Sequence, residues 1–152
     1  MTLDENKMEV LAQHHMLRAL LVNVGDLARQ VAEGDGAHAE LLRDGARQLV
    51  RGLLSHMADE ERLLEEMHRE GQAPDAEHLA AFQHNHVHQR ELIVSINARL
   101  ESIHATKRLG ELVEALTHAV TLDMEHEEES LFGTPPQPLA PAEVTPMVAA
   151  RA

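Results

Sequence analysis

Apolar residues recur along this chain with a period near 3.6, and four stretches carry that rhythm. The first runs from about Asp4, read as its N-cap, to Glu33, with Val10, Leu17, Leu21 and Val24 on one face. Gly34-Asp35-Gly36 stops it. The second runs from about Ala37 to Glu70 with Leu49, Leu53, Met57, Leu64 and Met67 inward, and ends at Gly71-Gln72-Ala73-Pro74. The third begins near Asp75, continues to about His104 and turns Phe82, Ile93 and Ile96 to one side. The fourth takes Thr106 as N-cap and carries Leu109, Leu112, Leu116, Val120 and Leu131 as far as Phe132, where Gly133-Thr134-Pro135-Pro136 forbids continuation. Connections this short join antiparallel neighbours. The expectation is an all-α, up-down-up-down antiparallel four-helix bundle over residues 1–132. Residues 133–152 hold five of the six prolines and read as a Pro-rich C-terminal tail.

The apolar stripes are interrupted by polar residues that a wheel at about 100° per residue aims inward. On the fourth stretch Asp123 and Glu127 lie within roughly 30° of the stripe's centre. On the second, Glu60 lies near the middle of the apolar face and His56 slightly to one side. The two sites sit in a repeated phrase, His56-Met-Ala-Asp-Glu60-Glu61 and Asp123-Met-Glu-His-Glu127-Glu128, with Leu64 and Leu131 following. Spacing of four residues puts the lead residue and the carboxylate one turn apart on one face.

A second repeat aligns His14 to Val24 with His86 to Ile96, matching Arg18 with Arg90 and Leu20 with Leu92. His14 and His86 share the inward face, whereas His15 points away. The chain thus reads as two helical hairpins related by an approximate two-fold. His84 and His88, a His-x3-His pair, fall toward the flank of the third stretch and stand as alternatives to His86. His126 is marginal, and His38, His68, His78, His104 and His118 are expected on the surface.

Three carboxylates buried without partners would each cost several kcal/mol. No Lys or Arg lies on these stretches of core face. A bound metal is the economical partner, held by His14, His56, Glu60, His86, Asp123 and Glu127. Three imidazoles and three carboxylates suit iron, with manganese or zinc as alternatives, and disfavour calcium and magnesium. Six donors suffice for two ions if carboxylates bridge them.

Composition narrows the rest. With 43% hydrophobic residues but no Trp, no Tyr and two Phe, the core is aliphatic. A formal charge of −13 disfavours nucleic acid and anionic membrane as partners. There is no cysteine, so thiolate sites and disulfides are excluded, and no Tyr or Cys is at hand as a redox relay. No apolar run approaches the ~18 residues of a membrane span, and the start of the chain has no signal-peptide core, so a cytoplasmic location is expected. A homodimer is left open.

At these residues the chain resembles the hemerythrin-like family, also called HHE cation-binding domains. The likeness covers residues 4–132. It rests on His14 in His-His-Met-Leu-Arg, on His56-x3-Glu60-Glu61, on the histidine-rich third stretch, and on Glu127-Glu128-x2-Leu131-Phe132. The resemblance implies a four-helix bundle holding two iron ions, bridged by carboxylates and by an oxo or hydroxo group. It places His14, His56, Glu60, His86 and Glu127 at ligand positions. Members bind dioxygen, sense or carry it, act on nitric oxide or peroxide, or take part in iron homeostasis, so a small diatomic or peroxide ligand is implied here. A non-catalytic iron-binding or sensing module, or a bundle with a degenerate site, is the alternative. Two departures stand out: the fourth-helix ligand of the family is usually His and here is Asp123, and Phe82 and Gln83 stand where a further His often lies.

Overall fold

The computed structural model describes residues 1–102 and 106–132. The Pro-rich stretch 133–152 and His104 lie outside the described residues. Four helices form the described chain: α1 (Leu3–Ala32), α2 (Ala39–Arg69), α3 (Ala76–Leu100) and α4 (Thr106–Ser130), with a short 3-10 turn at Gly36–His38 before α2. The described residues contain no strand, so the fold is all-α, as in a four-helix bundle. None of these helices is long and apolar enough to cross a membrane.

Local chemistry sets the ends. The N-cap of α1 is Thr2, not Asp4: Thr2 accepts from the Glu5 amide while the Glu5 carboxylate accepts from the Thr2 amide. That reciprocal capping box satisfies two free amides together, which Asp4 cannot do from inside the first turn. Asp75 caps α3 by accepting from the His78 amide. Gly34 and Gly71 follow α1 and α2 with φ of 107° and 72°, a backbone that side-chain-bearing residues resist. Helix α3 stops at Leu100, earlier than the expected His104. Just beyond its end, the buried Arg43 of α2 donates to the Ser102 carbonyl at 3.0 Å.

Side chains divide the interior into two apolar clusters. The larger contains Leu17 to Val31 of α1, Leu42 to Met57 of α2, Ile93 to Leu100 of α3 and Leu109 to Met124 of α4. The smaller contains Leu3 and Val10, Leu63 to Met67, Phe82, and Leu131 with Phe132. Every helix crosses from one cluster to the other, and at the crossing each carries a buried polar group: His14, Glu60, His86, and Asp123 with Glu127. The polar layer is therefore about one helical turn thick, sealed by aliphatic side chains on one side and by aliphatic side chains with Phe82 and Phe132 on the other. Backbone contact is closest between α1 and α4, where Gly110 faces the backbone of Ala28 and Ala32.

Candidate metal centre

Glu60 is the hub of the polar layer. Its Oε1 lies 2.8 Å from His14 Nε2 and 2.5 Å from His56 Nε2, and its Oε2 lies 2.9 Å from His86 Nε2. One carboxylate thus has a different set of imidazoles at each oxygen. Glu127 stands across from it, 3.8 Å from His14 Nε2 through Oε1 and 3.9 Å from His86 Nε2 through Oε2. Two groups of donors result, each close enough to share an ion: His14, His56 and Glu60, and Glu60, His86 and Glu127. All five side chains are buried.

Each histidine is fixed so that Nε2 faces the centre. His14 Nδ1 pairs with Glu128 Oε2 at 2.8 Å, and Arg18 grips both oxygens of Glu128 at 2.6 and 2.8 Å. His86 Nδ1 pairs with Glu61 Oε1 at 3.1 Å, and Arg90 holds that same oxygen at 2.6 Å. His56 Nδ1 donates to Gln13 Oε1 at 2.7 Å, and Gln13 in turn donates to Asp59. A ring that donates from Nδ1 leaves the Nε2 lone pair free for a cation. The two Arg–carboxylate–His chains occupy matched positions of the sequence repeats, and each joins one hairpin to the other.

Asp123 is handled differently. Its Oδ1 accepts from Asn85 at 2.9 Å and its Oδ2 from the buried Gln89 at 2.6 Å. It stands 3.7 Å from His86 Nε2, beside the second donor group. His84, His88 and His15 are exposed, so His86 is the inward histidine of α3. His126 is half-buried and stacks on His78 with ring centroids 5.6 Å apart. His38 and His78 are also half-buried rather than fully on the surface, each lying against a nearby carboxylate, Asp35 and Asp75.

The electrostatics follow from this crowding. Burial pushes the Glu60 carboxyl up, but contacts with His14, His56 and His86 outweigh it and hold the group well below the usual 4.5. Glu127 has no such help. Burial, reinforced by the charges of Glu60 and Asp123, drives it well above 4.5. Asp123 is raised by burial as well, against the opposing amide bond from Asn85. Burial lowers His86, yet Glu60 and Glu61 raise it overall above 6.5.

The donor set fits a metal. His56 Nε2 and Glu127 Oε2 are buried without a hydrogen-bond partner, although His56 Nε2 is in contact with Glu60 Oε1. Orphaned polar atoms of this kind are costly in a dry interior; each belongs to one of the two donor groups, and a cation held by that group would satisfy it. Ligand atoms about 2.1 Å from one ion and at right angles stand about 3 Å apart, in the range found around Glu60.

The family comparison agrees with the geometry. The sequence model of the hemerythrin HHE cation-binding domain matches residues 9–134. The chain belongs to this family. No curated protein and no solved structure matches it. The hemerythrin-like reading accounts for the inward His and Glu residues, which are now seen together on four helices. It did not anticipate Gln13, Asn85 or Gln89. Glu61, Glu128, Arg18 and Arg90 were visible as matched positions in the two repeats, but their role as outer partners of His14 and His86 was not.

Two expected results arise here. Glu61→Gln and Glu128→Gln should each weaken metal binding by about 10- to 100-fold, because the imidazole loses its anionic partner. Competition with a chelator measures this, and Glu129→Gln, on the exposed side, is the control.

The second concerns pH. Glu127 and His86 have raised values in the folded protein, so their contributions are fully present at low pH and are lost as pH rises through those values. Glu60 has the opposite sign and fails only as pH falls through a value well below 4.5. The metal-free protein is therefore expected to melt at lower temperature as pH rises from the carboxylate into the imidazole range. Glu127→Gln should flatten the early part of that fall. A melting temperature that climbs steadily with pH would contradict it.

Proposed function

We propose that this chain is a non-haem di-iron protein whose centre binds or reacts with small oxidants such as dioxygen, peroxide or nitric oxide. The observation that carries the reading is the single Glu60 carboxylate, shared between two buried donor groups. His14 and His56 would hold one ion and His86 and Glu127 the other, with Glu60 offering an oxygen to each. Bound iron would supply Lewis acidity and redox chemistry. The chain's own part is to orient three imidazoles, keep the Glu60 carboxylate ionised and exclude bulk water with apolar side chains on both sides.

The up-down-up-down order is part of the proposal. It is supported by α1 and α3 passing from the smaller apolar cluster to the larger while α2 and α4 pass the other way. Access is supported by a groove of about 680 Å³ between α2 and α3 that reaches His86, lined by Leu64, Leu79, Phe82 and Val87 together with the charged Glu61, Glu65, Arg69 and Arg90.

Anaerobic loading with ferrous iron, metal analysis and optical spectra after peroxide or nitric oxide test the reading. Retention of two ions with a spectrum that changes and recovers on turnover supports it. Inert occupancy would favour the iron-sensing alternative, and retention of less than one ion would sink the di-iron centre.

A further inference from the structure

We infer that the two ion positions are unequal and fill in order, the His14–His56–Glu60 position first and the Glu60–His86–Glu127 position second, so that the centre can carry two different ions. This rests on the two-ion reading above. The first position offers two imidazoles and one carboxylate oxygen, and the second offers one imidazole and two carboxylates.

The inequality traces to one pair of matched positions. α2 presents His56 one turn before Glu60, and α4 presents Asp123 one turn before Glu127. Asp123 does not make up the deficit: it lies outside both donor groups, and its oxygens accept from the amides of Asn85 and Gln89 on α3. It acts as a fixed acceptor that ties α4 to α3 beside the second position.

Pre-organisation separates the positions further. His14 and His56 already converge on one oxygen of Glu60, at 2.8 and 2.5 Å, with their rings edge to face at 4.8 Å. In the second position only His86 is in contact with Glu60, and Glu127 stands wider, 3.9 Å from His86. Two imidazoles favour ions later in the first-row series, such as ferrous iron or zinc, whereas a carboxylate-rich position accepts manganese more readily.

Calorimetric titration of the metal-free protein with ferrous iron under argon tests this. Two steps are expected, with dissociation constants at least about tenfold apart. One equivalent of ferrous iron followed by excess manganese should leave one ion of each by elemental analysis. Glu127→Gln should weaken the second step at least about tenfold more than the first, and Asp123→Asn should keep both. Circular dichroism reports whether the variants hold their helix content, and the wild-type titration decides the order even if they do not. A single step taking up two equal ions would overturn the inference, as would loss of both steps together in a folded Glu127→Gln. Loss of the second step in a folded Asp123→Asn would overturn the part given to Asp123. Absence of any uptake by the wild type would instead overturn the metal-centre reading itself, and the inference with it.

Discussion

Glu60→Gln is expected to strip the centre of both ions, lowering affinity by about a hundredfold or more at each position. The carboxylate reaches His14 and His56 through one oxygen and His86 through the other. An amide keeps the shape but offers only one acceptor oxygen, and its NH2 group meets an ion with the wrong polarity. The loss of negative charge acts on both positions together. In the metal-free protein the same change leaves at least one buried imidazole nitrogen without its acceptor, a cost of about 1–3 kcal/mol. Elemental analysis after gel filtration gives the first effect and thermal melting the second. Glu65→Gln, on the exposed face of α2, should change neither. If Glu60→Gln retained one ion at wild-type affinity, the carboxylate could not be shared between the two positions.

The largest effect on stability is expected far from the centre, at Gly110→Ala. A methyl group there would lie 2.7 Å from the Ala28 carbonyl oxygen and 2.7 Å from the Ala32 amide nitrogen. Both are backbone atoms, so no side-chain rotation can relieve the clash and α4 must move away from α1. Overpacking of this kind costs about 3 kcal/mol, which corresponds to a fall in melting temperature on the order of 10 °C for a chain of this size. Gly36→Ala is the control, since nothing lies within 4 Å of a methyl there. An unchanged melting temperature in Gly110→Ala would mean that the two helices do not approach as closely as described.

Most of this architecture was legible because the apolar period and the helix stops agree with each other. The same wheel that found the core also placed His14, Glu60, His86, Asp123 and Glu127 inward, and all are buried. What the wheel cannot give is the partner of an inward group. Gln13 neighbours His14 in sequence, yet its amide serves His56 on another helix. Gln89 lies on the same face as His86 and Ile93, but a single polar residue on a stripe carries no indication of which helix it meets. Asp123 was read as a ligand from its phase and from its place in the repeated phrase, one turn before Glu127. Its two amide donors come from α3 and could be seen only once α3 and α4 were brought side by side. The first cap was misassigned for a simpler reason: Asp4 is a good capping residue, and the reciprocal Thr2–Glu5 pair outcompetes it.

The exchange of outer contacts has a further consequence. Arg18 of the first hairpin holds Glu128 of the second, and Arg90 of the second holds Glu61 of the first. That is the isologous pattern of a symmetric dimer, here realised within one polypeptide. In an assembly of two identical hairpins, positions 56 and 123 would have to be the same residue. Covalent fusion removes that obligation, so one half can keep His56 while the other carries Asp123. The asymmetry at the heart of the molecule is a freedom that a pair of identical hairpins does not possess.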